Sequence, residues 1–168
     1  MDSAFSTEDT AMNRFAEKNT AITGVGMSDV SRGATKSALA LTVDAALEAI
    51  ADAGLDRADI DGIATWPGER ADGSGFSAVG CAALQDALRL EVNWYAGGGE
   101  APGQYGAVFN AIGAIAAGLC QNVLIFRTMY EATARKAAFA NSLLRAGERQ
   151  AGPFVWYAPY YTYAAALQ

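Results

Sequence analysis

The stretch "QYGAVFNAIGAIAAGL", residues 104–119, decides the fold. Between Gly106 and Leu119, Asn110 is its one strongly polar side chain. Large apolar residues recur at helical spacing on one side, and alanines and glycines fill the other side. A helix that is apolar all round is buried on all sides. At a rise of about 1.5 Å per residue it is about 24 Å long, so we predict a core helix covered by a second layer, from another half of the protein or from a partner.

The elements around this helix predict a parallel sheet. Residues 122–129, "NVLIFRTM", are nearly continuous in apolar residues, as is typical of a central strand covered on both faces. Three earlier runs predict strands at residues 21–30, 62–66 and 91–96. Helical spacing and Gly54 predict a helix from residue 37 to 54, and further helices are predicted at 76–90 and 130–150. The order β-α-β-α-β-α-β, with long crossovers, predicts the α/β fold class.

Bulk composition excludes several function classes. The chain has 168 residues, 52% hydrophobic and 18% charged, with a net charge of −6. This composition fits one well-buried domain and argues against disorder and against nucleic-acid binding. No apolar run reaches the roughly 18 residues of a membrane span, and the first 20 residues lack the apolar stretch of a secretory signal. We therefore expect a cytoplasmic protein without a membrane span.

Histidine is absent, and the two cysteines lie far apart. A Ser-His-Asp triad, a Cys-His pair and a His-ligated metal are therefore excluded within this chain, and we expect no metal site. Two cysteines do not make a disulfide framework. We expect both, Cys81 and Cys120, to be buried and inert thiols.

Several segments together resemble the thiolase superfamily. They are "AITGVGMSDVSRG" (21–33), "SALALTVDAALEAIADAGLDRADIDGIATW" (37–66) and "AIGAIAAGLCQNVLIFRTMYE" (111–131). The triple glycine at 97–99 and "FRTMYEATAR" (126–135) are most similar to the lipid-transfer-protein-like, SCP-x-type branch, which includes steroid side-chain aldolases. The resemblance covers residues 21 to about 165, and it is carried by the order and spacing of the segments.

The resemblance implies a fold and a domain organisation. The family packs two βαβαβαββ units into five layers, α-β-α-β-α, so this chain corresponds to the amino-terminal half. Residues 1–20 would be a flexible arm and residues 21–168 the thiolase-like domain. Within that domain, residues 129–168 would be a loop insertion that the sequence leaves unfinished.

The same resemblance implies a function without the family's nucleophile. A true thiolase has a reactive cysteine after the third strand, and that position falls here at Ala96, or at Pro102 if the glycines are aligned. We therefore expect cleavage of a C–C bond in an acyl-CoA substrate, of retro-aldol or acyltransferase type, in lipid or steroid side-chain degradation. The alternative is a non-catalytic subunit that binds lipid or acyl-CoA or serves in assembly. Coenzyme A enters as a thioester substrate, and no covalently bound cofactor is expected.

The resemblance also implies partners and site residues. A homodimer through the strand at 91–96 is expected, as is an OB-fold, zinc-containing acyl-CoA-binding partner. "AGGGEAPG" fails the Walker and Rossmann patterns, so it is either a turn near the substrate or a structural turn. The candidates for substrate binding in and beside this loop are Tyr95, Gly97, Gly98, Gly99 and Glu100.

Three further groups leave alternatives open. Glu100 is either an acid or base at the site or a solvated carboxylate. Arg135 and Lys136 either contact CoA phosphates or lie on a solvated helix face. The aromatic run at residues 154–163 lines an acyl or sterol channel, forms a subunit interface or packs in the core.

Overall fold

The computed structural model describes residues 16–31, 33–70, 72–98 and 103–145. The chain divides into two compact units, the first ending at Ala134 and the second starting at Arg135. The predicted arm at 1–20 lies largely outside the described residues, as do Gly99, Glu100, Pro102 and the aromatic run. The described helices and strands are α1 (Ala38–Asp52), β1 (Gly62–Thr65), α2 (Cys81–Leu88), β2 (Trp94–Gly97), α3 (Gln104–Ala116), β3 (Val123–Phe126) and α4 (Glu131–Arg145).

The sheet has three parallel strands in the order β2-β1-β3. Gly62 lies opposite Trp94 and Val123, so the three strands start at the same level. Asp61 fixes this level, because its carboxylate accepts the amide hydrogens of residues 121 and 122 at 2.8–2.9 Å and its carbonyl accepts that of Asn93 at 2.7 Å. The α/β class is confirmed, as are the positions of the strands near residues 62–66, 91–96 and 122–129.

The predicted strand at 21–30 is wrong. This segment forms no strand and lies against α1 instead. The Val25 amide donates to the Asp52 carboxylate and the Met27 amide to that of Glu48, each at 2.9 Å. Gly24 lies so close to α1 that a Cβ there would come within 2.3 Å of the Ala49 carbonyl oxygen. The amides of Val25 and Met27, which would donate to a neighbouring strand in a sheet, therefore donate to carboxylates of α1 instead.

Helix α1 begins and ends close to its predicted bounds, because residues at its two ends cap it. The Ser37 hydroxyl accepts the Ala40 amide at 3.2 Å and caps the amino end. Gly54, at φ +68°, ends the helix. The Leu55 amide then bonds to the Ile50 carbonyl at 3.1 Å, which is a Schellman closure. Helix α2 is shorter than the predicted 76–90, since residues 76–80 form a connecting loop.

Helix α3 is only half buried by the described residues, contrary to the predicted burial on all sides. Its small residues Ala107, Ala111 and Ala114 are buried, and the helix contacts all three strands. Small side chains allow this close approach to the sheet. Two of its large apolar side chains face outward, with Tyr105 74% and Phe109 62% exposed, whereas Val108, Ile112 and Ile115 are half-buried. The covering layer inferred from the sequence is therefore not supplied by the described part of this chain.

The main core lies on the other side of the sheet. Ile63 of β1 and Leu84 of α2 are fully buried there, together with Ile50 of α1 and Leu124 and Phe126 of β3. Among the described helices, none combines the length and apolar character that crossing a bilayer requires.

Candidate functional site

The carboxyl ends of the three strands meet at one edge of the sheet. β1 ends at Thr65, β2 at Gly97 and β3 at Phe126, and the register places these three residues side by side. Gln104, the first residue of α3, reaches the same edge, where its side-chain amide donates to the Phe126 carbonyl at 3.3 Å. In open parallel α/β sheets, ligands bind outside this edge.

Unpartnered polar atoms gather at this edge. Within the described ranges, five buried side-chain atoms lack a hydrogen-bond partner: Thr65 Oγ1, Trp66 Nε1, Ser77 Oγ, Gln104 Oε1 and Arg127 Nε. Each belongs to a strand end, to the start of α3 or to the loop after β1. A buried polar atom without a partner costs about 1–3 kcal/mol. Such a cost concentrated in one place indicates a surface built to bind something polar.

Arg127, the residue after β3, is the charged member of the group. Its guanidinium carbon lies 4.5 Å from the centre of the Phe76 ring and 5.1 Å from that of Trp66. These two rings meet edge to face at 6.1 Å. The Tyr130 amide donates to the Gly75 carbonyl at 2.7 Å, which ties the loop carrying Phe76 to the chain after β3. Burial lowers the pKa of Arg127, and Glu131 partly offsets that effect.

Glycine allows two loops to touch beside these groups. A Cβ on Gly98, at φ +90°, would lie 2.9 Å from the Pro67 carbonyl oxygen. A Cβ on Gly68, at φ +89°, would lie 3.1 Å from the Gly98 nitrogen. The backbone after β2 therefore rests directly on the backbone after β1. Any larger residue at either position would separate the two loops.

The predicted site residues are only partly brought together. Gly97 and Gly98 lie at the carboxyl edge, as the turn hypothesis requires. Tyr95 lies in the middle of β2 and is 70% exposed. Arg135 and Lys136 are exposed on α4, at the start of the second unit. Sequence reasoning missed Thr65, Trp66, Phe76, Ser77, Gln104 and Arg127. A polar or aromatic residue directly after an apolar strand was a usable signal for two of them, Trp66 and Arg127.

Both cysteines are buried, as predicted. Cys81 begins α2, and its thiol donates to the Ala96 carbonyl at 3.5 Å, next to the expected nucleophile position. Burial raises the pKa of the Cys81 thiol to about 11. Burial and the nearby Asp61 carboxylate raise that of Cys120. The described residues contain no group of three or more histidine, cysteine, aspartate or glutamate side chains placed to hold a metal ion.

A groove of about 970 Å³ is lined by α1, the segment at 20–31, α3 and β3. It borders the outer edge of β3, which no described strand pairs. An unpaired strand edge presents backbone groups that a further strand would satisfy. We therefore place the candidate site at the carboxyl edge, where the unpartnered side chains lie; of these five residues, Arg127 also lines the groove.

No family model matches the sequence. Over 111 residues, the chain is 35% identical to the 17-hydroxy-3-oxo-4-pregnene-20-carboxyl-CoA lyase of Mycobacterium tuberculosis and 35% identical to the steroid side-chain-cleaving aldolase of Thermomonospora curvata. Each match covers 66% of this chain and 27% of the relative. The chain is related to steroid side-chain-cleaving aldolases. It spans about a quarter of the length of these curated relatives.

A solved structure, described as an Ltp2-ChsH2(DUF35) aldolase, has a similar fold. The TM-score is 0.54 at 30% sequence identity, over 71% of this chain and 31% of that chain. The aldolase side of the sequence resemblance is thus supported by sequence and by fold. The assignment to the wider thiolase superfamily stays a prediction.

Proposed function

We propose that this chain forms part of an enzyme that cleaves a C–C bond of an acyl-CoA substrate by a retro-aldol reaction. The observation that carries the proposal is the convergence of five unpartnered buried polar atoms at the carboxyl edge of the sheet. The relatives' names supply the reaction class, since both are named for cleavage and one for a CoA substrate.

The proposed reaction has simple requirements. A base removes the proton of a hydroxyl on the carbon β to the thioester. The O–H electron pair forms a ketone or aldehyde carbonyl as the Cα–Cβ bond breaks. The electron pair of that bond moves onto the thioester, which becomes an enolate, and a proton then adds to Cα. The site must therefore hold a thioester, accept one proton and stabilise a negative oxygen.

The five edge residues suit the binding requirement and not the proton requirement. Thr65, Trp66, Ser77, Gln104 and Arg127 donate or accept hydrogen bonds, but none of them is a base at neutral pH. We propose that the base comes from elsewhere. Glu100, outside the described residues, is one candidate, and the family resemblance implies tyrosines of a second half.

A thioester-forming mechanism is disfavoured by the local chemistry. The family cysteine position falls at Ala96 or Pro102, neither of which carries a thiol. The nearby Cys81 is buried, and its pKa is raised to about 11. Acyl transfer to sulfur needs a thiolate, so we propose the retro-aldol direction in place of acyltransferase chemistry.

The proposed assembly follows the same resemblance. We propose the five-layer thiolase-like fold, in which a second sheet covers Tyr105 and Phe109 on α3. The open outer edge of β2, with Tyr95 exposed, supports the proposed homodimer through that strand. The related structure's name includes a ChsH2(DUF35) component, which supports the existence of a partner. We propose that this partner is the OB-fold, zinc-containing protein that the resemblance implies. Arg135 and Lys136 remain proposed contacts for CoA phosphates, and a cytoplasmic location remains a proposal.

One matched pair of variants tests the site. Gln104 and Gln85 each donate a side-chain amide to a backbone carbonyl, at 3.3 and 3.4 Å. Only Gln104 lies at the carboxyl edge. The 168-residue chain, alone and together with candidate second-half and OB-fold partners, is incubated with a β-hydroxyacyl-CoA, and released ketone or aldehyde is measured. We expect Gln104→Leu to lower the turnover and Gln85→Leu to leave it unchanged.

The second candidate function is a non-catalytic subunit that binds acyl-CoA. The lack of a neutral-pH base among the edge residues named above favours it. Binding of the β-hydroxyacyl-CoA without product release, under all conditions including the added partners, would support this candidate against the enzyme. Turnover unaffected by Gln104→Leu would contradict the placement of the site.

A further inference from the structure

Arg127 is held in one orientation by two aromatic rings. The guanidinium lies over Phe76 at 4.5 Å and over Trp66 at 5.1 Å. Cation–π contacts of this kind contribute attraction and fix the plane of the group. A long, flexible side chain is therefore ordered before any ligand binds. Such preorganisation is typical of a group that recognises a ligand by direction.

Among the described residues, Arg127 has no counter-charge within hydrogen-bond distance. The ion pairs in the described ranges are Lys36–Asp44 and Arg70–Asp72, and neither involves Arg127. Its Nε hydrogen is buried without an acceptor. The Glu131 carboxylate acts on it only through space. A partly buried cation in this state attracts an anion strongly, because the surroundings screen its charge less than water does.

The neighbouring groups favour an oxygen-rich ligand. Thr65 and Ser77 are 3% and 0% exposed, and their hydroxyls have no partner in the described part of the chain. Both hydroxyls are able to donate a hydrogen bond. The Gln104 amide presents its nitrogen to the Phe126 carbonyl, so its oxygen is left to accept from a ligand N–H or O–H. Cation, hydroxyl donors and one amide oxygen together suit a negative oxygen beside a hydrogen-bond donor.

We infer that Arg127 binds an anionic oxygen of the thioester ligand. This inference rests on the proposed function and names the group that the site recognises. The anionic oxygen has two sources in such a ligand. One is a phosphate of CoA, and the other is the thioester oxygen, which gains the negative charge when the Cα–Cβ bond breaks.

Binding measurements on the 168-residue chain separate the two sources. The probes are free CoA, which has the phosphates without an acyl group, and acetoacetyl-pantetheine, which has an enolisable thioester without phosphates. Arg127→Met removes the charge, and Arg89→Met, at an exposed arginine after α2, is the matched control. We expect Arg127→Met to weaken one of the two probes about tenfold or more, and Arg89→Met to leave both unchanged.

The pattern of loss identifies the source. Weaker binding of CoA assigns Arg127 to a phosphate, and weaker binding of acetoacetyl-pantetheine assigns it to the acyl oxygen. Wild-type affinities in Arg127→Met for both probes would overturn the inference while leaving the proposed function intact. A wild-type chain that binds neither probe would overturn both.

A measurement on the unaltered chain covers the case in which Arg127→Met does not fold. Phenylglyoxal modifies accessible arginines, and peptide mass spectrometry reports each site separately. Whichever probe binds should protect Arg127 and leave Arg89 reactive. Equal modification of Arg127 with and without the bound probe would overturn the inference.

Discussion

The reactivity of Cys81 tests the choice of retro-aldol over acyl-transfer chemistry. Its thiol lies beside Ala96, and a Cβ on Gly97 would be 3.4 Å from its sulfur. Burial raises its pKa from 9.0 to about 11. At pH 8 a thiol of pKa 9.0 is about one tenth thiolate, and one of pKa 11 about one thousandth. We therefore expect iodoacetamide to alkylate Cys81 about 100-fold more slowly in the folded chain than in the unfolded chain.

The assay uses a chain with one thiol. Cys120→Ser leaves Cys81 as the remaining cysteine of the two. Alkylation at pH 8 is followed by intact mass spectrometry, with and without urea. Cys81→Ser, which keeps Cys120, shows whether the slow reaction belongs to the site or to buried thiols in general. Labelling of folded Cys81 at the unfolded rate would reveal an accessible thiolate beside Gly97 and refute the argument against a thioester intermediate.

Other predictions concern stability, each measured by urea unfolding. The raised pKa of Cys81 means that the unfolded chain releases this proton first. The contribution of the protonated Cys81 thiol to the free energy of unfolding should therefore be fully present below pH 9 and be lost as the pH rises towards 11. Cys81→Ala should show a smaller decrease in stability over this range. Arg89 has φ 54° at the end of α2, so Arg89→Gly should stabilise by about 1 kcal/mol and Arg89→Ala should not. Asp61→Ala removes the acceptor for the amides at 121–122 and should cost about 2–3 kcal/mol, with a smaller loss for Asp61→Asn. Gly98→Ala should destabilise by about 1–2 kcal/mol, because its Cβ meets the Pro67 carbonyl at a left-handed φ; an unchanged midpoint would show that the two loops do not touch.

Elements specified by local signals could be predicted from the sequence. Ser37 and Gly54 bound α1 closely, because capping and a left-handed terminus depend only on nearby residues. β1 and β3 could be recognised as short apolar runs. The segment at 21–30 has the same apolar character, but a strand needs a partner edge. Here Glu48 and Asp52, on a distant helix, bind its amides, and no local pattern reports that competition.

The candidate site depended on topology for the same reason. The glycine turn at 97–98 was predictable as a loop between a strand and a helix. The Trp66, Phe76 and Arg127 cluster was not, because 51 residues of sequence separate Phe76 from Arg127 and only the parallel pairing of β1 with β3 brings them together. The cysteine position that the resemblance implies falls at Ala96, which has no reactive side chain. The polar residue Arg127, directly after the apolar strand β3, was recognisable from the sequence.

Near the start of α3, the described residues lack both a covering layer and a base. The first is physical: Tyr105 and Phe109 expose apolar surface that a further layer of structure would bury. The second is chemical, since none of the five unpartnered side chains at the carboxyl edge is a base at neutral pH. Gln104 belongs to that edge and is adjacent to Tyr105 in the chain. A layer that covered α3 to its amino end would therefore bring its own side chains to the site and exclude water from it. We expect one structural element to meet both needs, so that a partner or chain segment that buries Phe109 is also the one that supplies the proton acceptor.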